Sequence, residues 1–128
     1  MTQTTENEVM VMFSLVIETD PERLHFARQW VADVFDAWEI DSYVACLALS
    51  ELMANVAKHT MCHKAVVRLY MCDAGPVVEV EDACPDLPAI REPDLTSEGG
   101  RGLAILQALT KRIGWNACGQ GKVVYVIL

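Results

Sequence analysis

From Val44 to His59 the chain places eleven apolar residues in sixteen positions. At about 100° per residue they spread round almost the whole circle of a helix, the pattern of a helix packed on nearly all sides. Five polar residues interrupt it, and four of them cluster. Glu51, Asn55, Lys58 and His59 fall within roughly 100° of one another, in one narrow band. Glu51 and Asn55 stand four apart, so their side chains are neighbours on the helix surface. Leaving such groups buried without partners costs roughly 2–7 kcal/mol apiece. The band therefore has to be satisfied, and two arrangements do so. Either the carboxylate and amide bond each other or nearby backbone, or they line a cavity. In a cavity the amide oxygen suits a hard cation such as Mg²⁺, and the carboxylate suits orienting or deprotonating a nucleophile.

The rest of the chain supplies the layers around that helix. Val9 to Ile17 alternates loosely and reads as a strand. Thr19-Asp20-Pro21-Glu22 is a helix start: a capping oxygen, proline in the first turn, and acids near the positive dipole end. That helix is expected to run to about residue 38, and Asp41-Ser42 caps the next. Lys64 to Cys72 and Pro76 to Glu81 read as a hairpin round Asp73-Ala74-Gly75. Ala83 to Glu98 is rich in proline and acids, has no period, and reads as a loop. Gly99-Gly100 opens a third helix to about Lys111. Ile113 to Ala117 and Val123 to Leu128 close the chain as strands round Gly119-Gln120-Gly121. Hairpin strands with helices between them predict an α+β fold, with helices stacked on one face of a mostly antiparallel sheet. No linker, repeat or low-complexity run divides the 128 residues, so one domain spans 1–128.

Glu98-Gly99-Gly100-Arg101-Gly102-Leu103 leads into an apolar helical pattern. Glycines let backbone approach a ligand closely, and the free N–H groups of a first helical turn favour an anion such as phosphate. The segment is neither a GxxxxGK[ST] loop nor a G-x-G-x-x-G fingerprint after a strand.

Charge is lodged unevenly. Net charge is −8, and residues 1 to 57 hold ten acids against two bases, Arg23 and Arg28, whereas residues 58 to 128 hold eight of each. An acidic chain does not coat phosphate backbones, so direct nucleic-acid binding is an unfavoured first reading. The acidic half is either a solvated face or one that meets a basic partner. No apolar run approaches the roughly 18–20 residues of a membrane span. Met1 to Glu8 is polar and acidic, unlike a signal peptide, and a cytoplasmic location is expected. Five cysteines without a CxxC pair fit free thiols, several of them buried. His59, Cys62 and His63, with Cys72 and Cys84, match no strong zinc spacing. Trp30, Trp38 and Trp115 are expected in the core or at an interface.

Leu49 to His59, then Val78-Glu79-Val80-Glu81-Asp82, then Gly99-Gly100-Arg101-Gly102-Leu103 together resemble the GHKL nucleotide-binding superfamily. Within it they resemble the small anti-sigma-factor serine/threonine kinases, histidine-kinase-like ATPase domains that regulate bacterial sigma factors. The resemblance covers nearly the whole chain in order and spacing. It implies a two-layer α/β sandwich of Bergerat type, with ATP and Mg²⁺ as cofactors. It implies that Asn55 binds magnesium and that Glu51 is the general base. Asp82 would read the adenine amino group. Gly100 and Gly102, with Arg101 and Leu103, would close on the phosphates, and His59 would extend the stripe toward them. Residues 83–98 would form the ATP lid. Partners would be a sigma factor and an anti-sigma-factor antagonist, and a homodimer is implied as well.

Two departures from the family pattern stand out. Its first glycine box runs Asp-x-Gly-x-Gly, where this chain has Asp82-Ala83-Cys84-Pro85-Asp86. Its final strand often carries Thr near the adenine aspartate, where this chain has Gly121-Lys122-Val123-Val124. Both touch the adenine end rather than the magnesium end. Beside a kinase, the sequence therefore leaves open a catalytically degenerate module that holds a partner without phosphotransfer. A histidine-kinase ATPase domain split from its dimerisation helices is less favoured, because no phosphoacceptor helix is present.

Overall fold

The computed structural model describes residues 11–59, 64–82, 101–118 and 121–128. Strand β1 (Phe13–Glu18) is followed by helices α1 (Pro21–Ala37) and α2 (Tyr43–His59). The hairpin β2 (Lys64–Cys72) and β3 (Gly75–Asp82) comes next, then α3 (Arg101–Leu109), β4 (Arg112–Cys118) and β5 (Gly121–Ile127). The element order read from sequence holds. Among the described residues the first strand begins at Phe13, with Val11 and Met12 outside it; Val9 and Met10 lie outside the described residues. Strand β3 runs one residue further, so that Asp82 closes a strand.

Local chemistry sets the boundaries. The Asp20 carboxylate accepts the Arg23 N–H at 2.9 Å and caps α1, with Pro21 in the first turn. At the other end Glu39 adopts a left-handed φ of 62°, and the Ile40 N–H returns to the Phe35 carbonyl at 2.9 Å. The Tyr43 N–H donates to Asp41 Oδ2 at 3.1 Å, tying down the first turn of α2. In the hairpin Cys72 pairs with Gly75 across Asp73-Ala74. Gly75 has φ 144°, and a Cβ there would lie 2.7 Å from the Leu128 carbonyl oxygen, so no side chain fits.

The five strands form one sheet in the order β1-β2-β3-β5-β4, every neighbouring pair antiparallel. Alternation sends Ile17, Val67, Leu69, Val78, Val80 and Val126 to one face, where they meet Val31 and Phe35 of α1, Leu49 and Leu52 of α2, and Leu106 of α3. The three helices share that face, giving the two-layer α+β sandwich. Trp30, Trp38 and Trp115 pack against this core while staying partly exposed. The outer face carries polar pairs instead. Arg68 bonds Glu79 at 3.1 Å and Glu81 at 2.6 Å, and the Tyr70 hydroxyl donates to Glu79 at 2.7 Å. Burial first, then that hydrogen bond, holds the Tyr70 phenol protonated well above its ordinary range.

Burial on α2 corrects one expectation. Tyr43, Ala54 and Ala57 are exposed, so an all-round apolar pattern does not make an all-round buried helix. Alanine is small enough to face water at little cost, and it gives the pattern its apolar look on the outer side. Cys46 and Cys72 are free thiols, partly exposed rather than fully buried. Among the described residues no helix is long and apolar enough to cross a membrane.

Candidate functional site

The helical layer fixes which way the polar stripe of α2 looks. Helix α1 packs on β1 and α2, α2 packs on β3, and α3 packs on α2 and β4. Because β1 and β4 are opposite edges of the sheet, α2 lies between α1 and α3. The side of α2 that meets α1 is marked by two bonds. The Cys46 thiol donates to the Arg28 carbonyl at 3.5 Å, and Arg28 Nη1 donates to Ser50 Oγ at 3.3 Å. At about 100° per residue, Cys46 and Ser50 border one end of the buried arc of α2, and Glu51 borders the other. Asn55 is the last buried residue before Glu51. Glu51 and Asn55 therefore face away from α1, on the α3 side.

The same end of the sheet collects the other predicted groups. The C-terminal end of α2 leads into β2, whose Ala65 pairs with Asp82. The far end of α3 leads into Arg112, which pairs with Ile127, and the Lys111 N–H bonds the Ile127 carbonyl at 2.8 Å. The N-terminus of α3 consequently points toward the opposite end of the sheet, the end that carries Asp82. Its first-turn N–H groups and dipole make that end attractive to an anion. Asp82 pairs with Lys122, and Lys122 with Ala117. The last row of the sheet thus reads Ala65, Asp82, Lys122, Ala117 on the helix-facing side, with two polar groups between two methyls.

Burial separates the roles of these residues. Asp82 is 1% exposed, and Asn55 is 8% exposed. Asn55 Nδ2 is sealed from solvent and has no hydrogen-bond partner among the described residues. Of the two arrangements the sequence left open, a Glu51–Asn55 bond through Nδ2 is not made. With no partner among the described residues, that donor is open to a ligand atom or to ordered water. A half-turn of the amide presents Oδ1 instead, an oxygen ligand suited to Mg²⁺ beside phosphate. Glu51 is half-buried, within reach of solvent and of the cleft.

Not every predicted site residue is described. His59, Arg101, Gly102 and Leu103 lie on α2 and α3 by backbone, but their side chains are outside the described residues. Gly100 and the expected lid over 83–98 are outside them altogether, as are Cys62, His63 and Cys84 of the zinc alternative. Among the described residues no three His, Cys, Asp or Glu side chains gather as a metal cluster. Sequence reading grouped Lys122 with Lys58 and Arg101 as phosphate-facing cations and missed its place across from Asp82. The position opposite Asp82, on its own face, is Lys122; Val123 pairs with Glu81 on the outer face. Counting alternation back from the buried Val124 and Val126 would have found it.

A family model described as a histidine kinase-like ATPase domain matches residues 17–128. No curated protein matches the chain.

Proposed function

The chain belongs to the histidine kinase-like ATPase domain family, and on that premise we propose that it binds ATP with Mg²⁺ in the cleft bounded by α2, α3 and the Asp82 end of the sheet. In this reading it is an anti-sigma-factor regulator with serine/threonine kinase activity toward an anti-sigma-factor antagonist. The observation that carries the nucleotide site is the buried Asn55 amide with its unused donor. Family membership, the α3 N-terminus and the buried Asp82 at the end of β3 support it.

Bound Mg²⁺–ATP would supply the phosphoryl group. The chain's own residues do the rest. Asn55 holds the magnesium and phosphate end, and Asp82 accepts from the base amino group. Glu51, half-buried on the rim, orients or deprotonates the attacking hydroxyl. The α3 N-terminal amides, with Gly100, Gly102 and Arg101, stabilise the transferred charge. Calorimetry with Mg²⁺–ATP tests the site. Asn55→Ala is expected to weaken binding by about ten- to a hundredfold, since hydrogen bonds to charged groups carry roughly 1.5–3 kcal/mol. Equal affinity in both proteins removes the assignment.

The partner surface follows from the uneven charge. Asp33, Asp36 and Asp41 line one groove of about 320 Å³ between the end of α1 and the start of α2. We infer that a basic region of the sigma factor docks there, on a cytoplasmic regulator that works as a homodimer. Asp33→Lys with Asp36→Lys is expected to weaken sigma-factor capture at least tenfold while leaving ATP affinity alone. Unchanged capture in a pull-down counts against this surface. The missing glycines at 84 and 86 favour a second reading, a degenerate module that holds its partner without phosphotransfer. Transfer of labelled phosphate to an antagonist would sink that reading.

A further inference from the structure

Helix α3 leaves two large apolar side chains half in water. Ile105 is 49% exposed and Leu109 is 51% exposed, while Leu106 between them is fully buried. At about 100° per residue Ile105 and Leu109 share one flank of α3, and the exposed Gln107 lies on the other. Direction decides which flank meets α2. Helix α2 leads into β2 at the Asp82 end of the sheet, and α3 leads into β4 at the other end, so the two run antiparallel. Seen along its own chain with the sheet below, α2 has Glu51 on its right and Ser50 on its left. Antiparallel neighbours meet through flanks of the same hand, and the right flank of α3 is the one with Ile105 and Leu109. Round the outer side of α2, between Ser50 and Glu51, stand Leu47, Ala54 and Tyr43, the last 70% exposed. The outer groove between α2 and α3 is thus apolar on both banks. Among its described side chains only Glu51 is charged; Lys58 stands at its Asp82 end, its side chain outside the described residues.

We propose that this groove docks the phosphoacceptor protein, through an apolar helix face that carries a serine or threonine hydroxyl toward Glu51. This rests on the kinase reading above and deepens it by giving the acceptor its surface. Two features select the occupant. The groove runs into Glu51, so a protein seated in it is held against the residue assigned to the hydroxyl, and transfer to a protein needs such holding. The groove also differs in charge from its neighbour. On a chain of net charge −8, the groove at Asp33, Asp36 and Asp41 suits a basic partner. A basic segment gains nothing from Tyr43, Leu47, Ile105 and Leu109. An apolar helix face does, because its anchors at i, i+3 and i+4 fit between two helices. Two partners of different chemistry then occupy opposite flanks of α2.

Transfer of labelled phosphate from ATP to a purified anti-sigma-factor antagonist, at varied antagonist concentration, tests the proposal on the whole chain. Ile105→Lys, Leu109→Lys and Tyr43→Lys place a charge in the groove, and Gln107→Lys places the same charge on the far flank of α3. The three groove variants are expected to raise KM for the antagonist about tenfold or more, the loss of an interface anchor. Their kcat should stay within about threefold of wild type, since the groove binds the acceptor and does not touch the reacting atoms. Mg²⁺–ATP affinity by calorimetry should not change, and Gln107→Lys should match wild type throughout. Thermal melts establish that each variant folds, and Tyr43, the most exposed of the three, keeps the test open if a variant on α3 does not. Unchanged KM in the groove variants, or an equal rise in Gln107→Lys, overturns the docking surface while sparing the kinase reading. A dimer that dissociates in Leu109→Lys with KM unmoved makes a second copy the occupant and overturns it too. A wild-type protein that transfers no phosphate overturns the kinase reading and this inference together.

Discussion

Glu51→Gln is expected to lower phosphoryl transfer to an antagonist by about 10²–10⁴-fold while ATP affinity stays within a few-fold of wild type. The asymmetry comes from position. Glu51 sits at the half-buried edge of α2, one turn before Asn55 and on the side toward α3. From there, under the proposed function, it would reach a hydroxyl entering the cleft without holding the nucleotide. Glutamine keeps size and hydrogen bonding and removes only the proton acceptor, so the fold has no reason to change. Single-turnover transfer of labelled phosphate, beside calorimetry on the same protein, separates the two quantities. A Glu51→Gln protein as fast as wild type would strip Glu51 of its role. Loss of binding in proportion to loss of rate would make it a nucleotide ligand instead.

The proposed magnesium end of this cleft is more legible in the sequence than the proposed base end, for a physical reason. Glu51 and Asn55 lie on one helix, where a spacing of four places them side by side whatever the rest of the chain does. The Asp82–Lys122 pair is forty residues apart in the chain and depends on strand register, and a slip of one residue would send Lys122 to the outer face. The outer side of α2 misled for a related reason. Ala54 and Ala57 count as apolar in a pattern yet face water in the fold. Which flank of α2 looks toward α3 was also hidden, because it follows from the order of the helices over the sheet and from the Arg28–Ser50 bond. Boundaries were legible wherever a cap or turn residue set them, as at Asp20 and across Asp73-Ala74.

Phe35→Ala is expected to cost about 3–5 kcal/mol of stability, a large share of the roughly 5–15 kcal/mol that holds a domain together. Phe35 is fully buried in α1 under the sheet. Its ring lies 5.1 Å from that of Trp38, which lies 6.0 Å from Phe13 on β1, so one aromatic chain fastens the end of α1 to the edge strand. The Phe35 carbonyl also receives the Ile40 N–H that turns the chain toward α2. Alanine leaves a ring-sized void at the point where three elements meet, and the melting temperature should fall by about 10–20 °C. Phe35→Leu, which refills most of that volume, should lose less than about 1.5 kcal/mol. The effect is global, which separates it from the site. Mg²⁺–ATP at a hundred times its dissociation constant should return about 2.7 kcal/mol to Phe35→Ala, because only the folded chain binds it. The same nucleotide concentration should return far less to Asn55→Ala, whose core is intact and whose cleft is not. Melts of both variants with and without nucleotide test the pair, and equal rescue of the two would show that Asn55 does not hold the ligand.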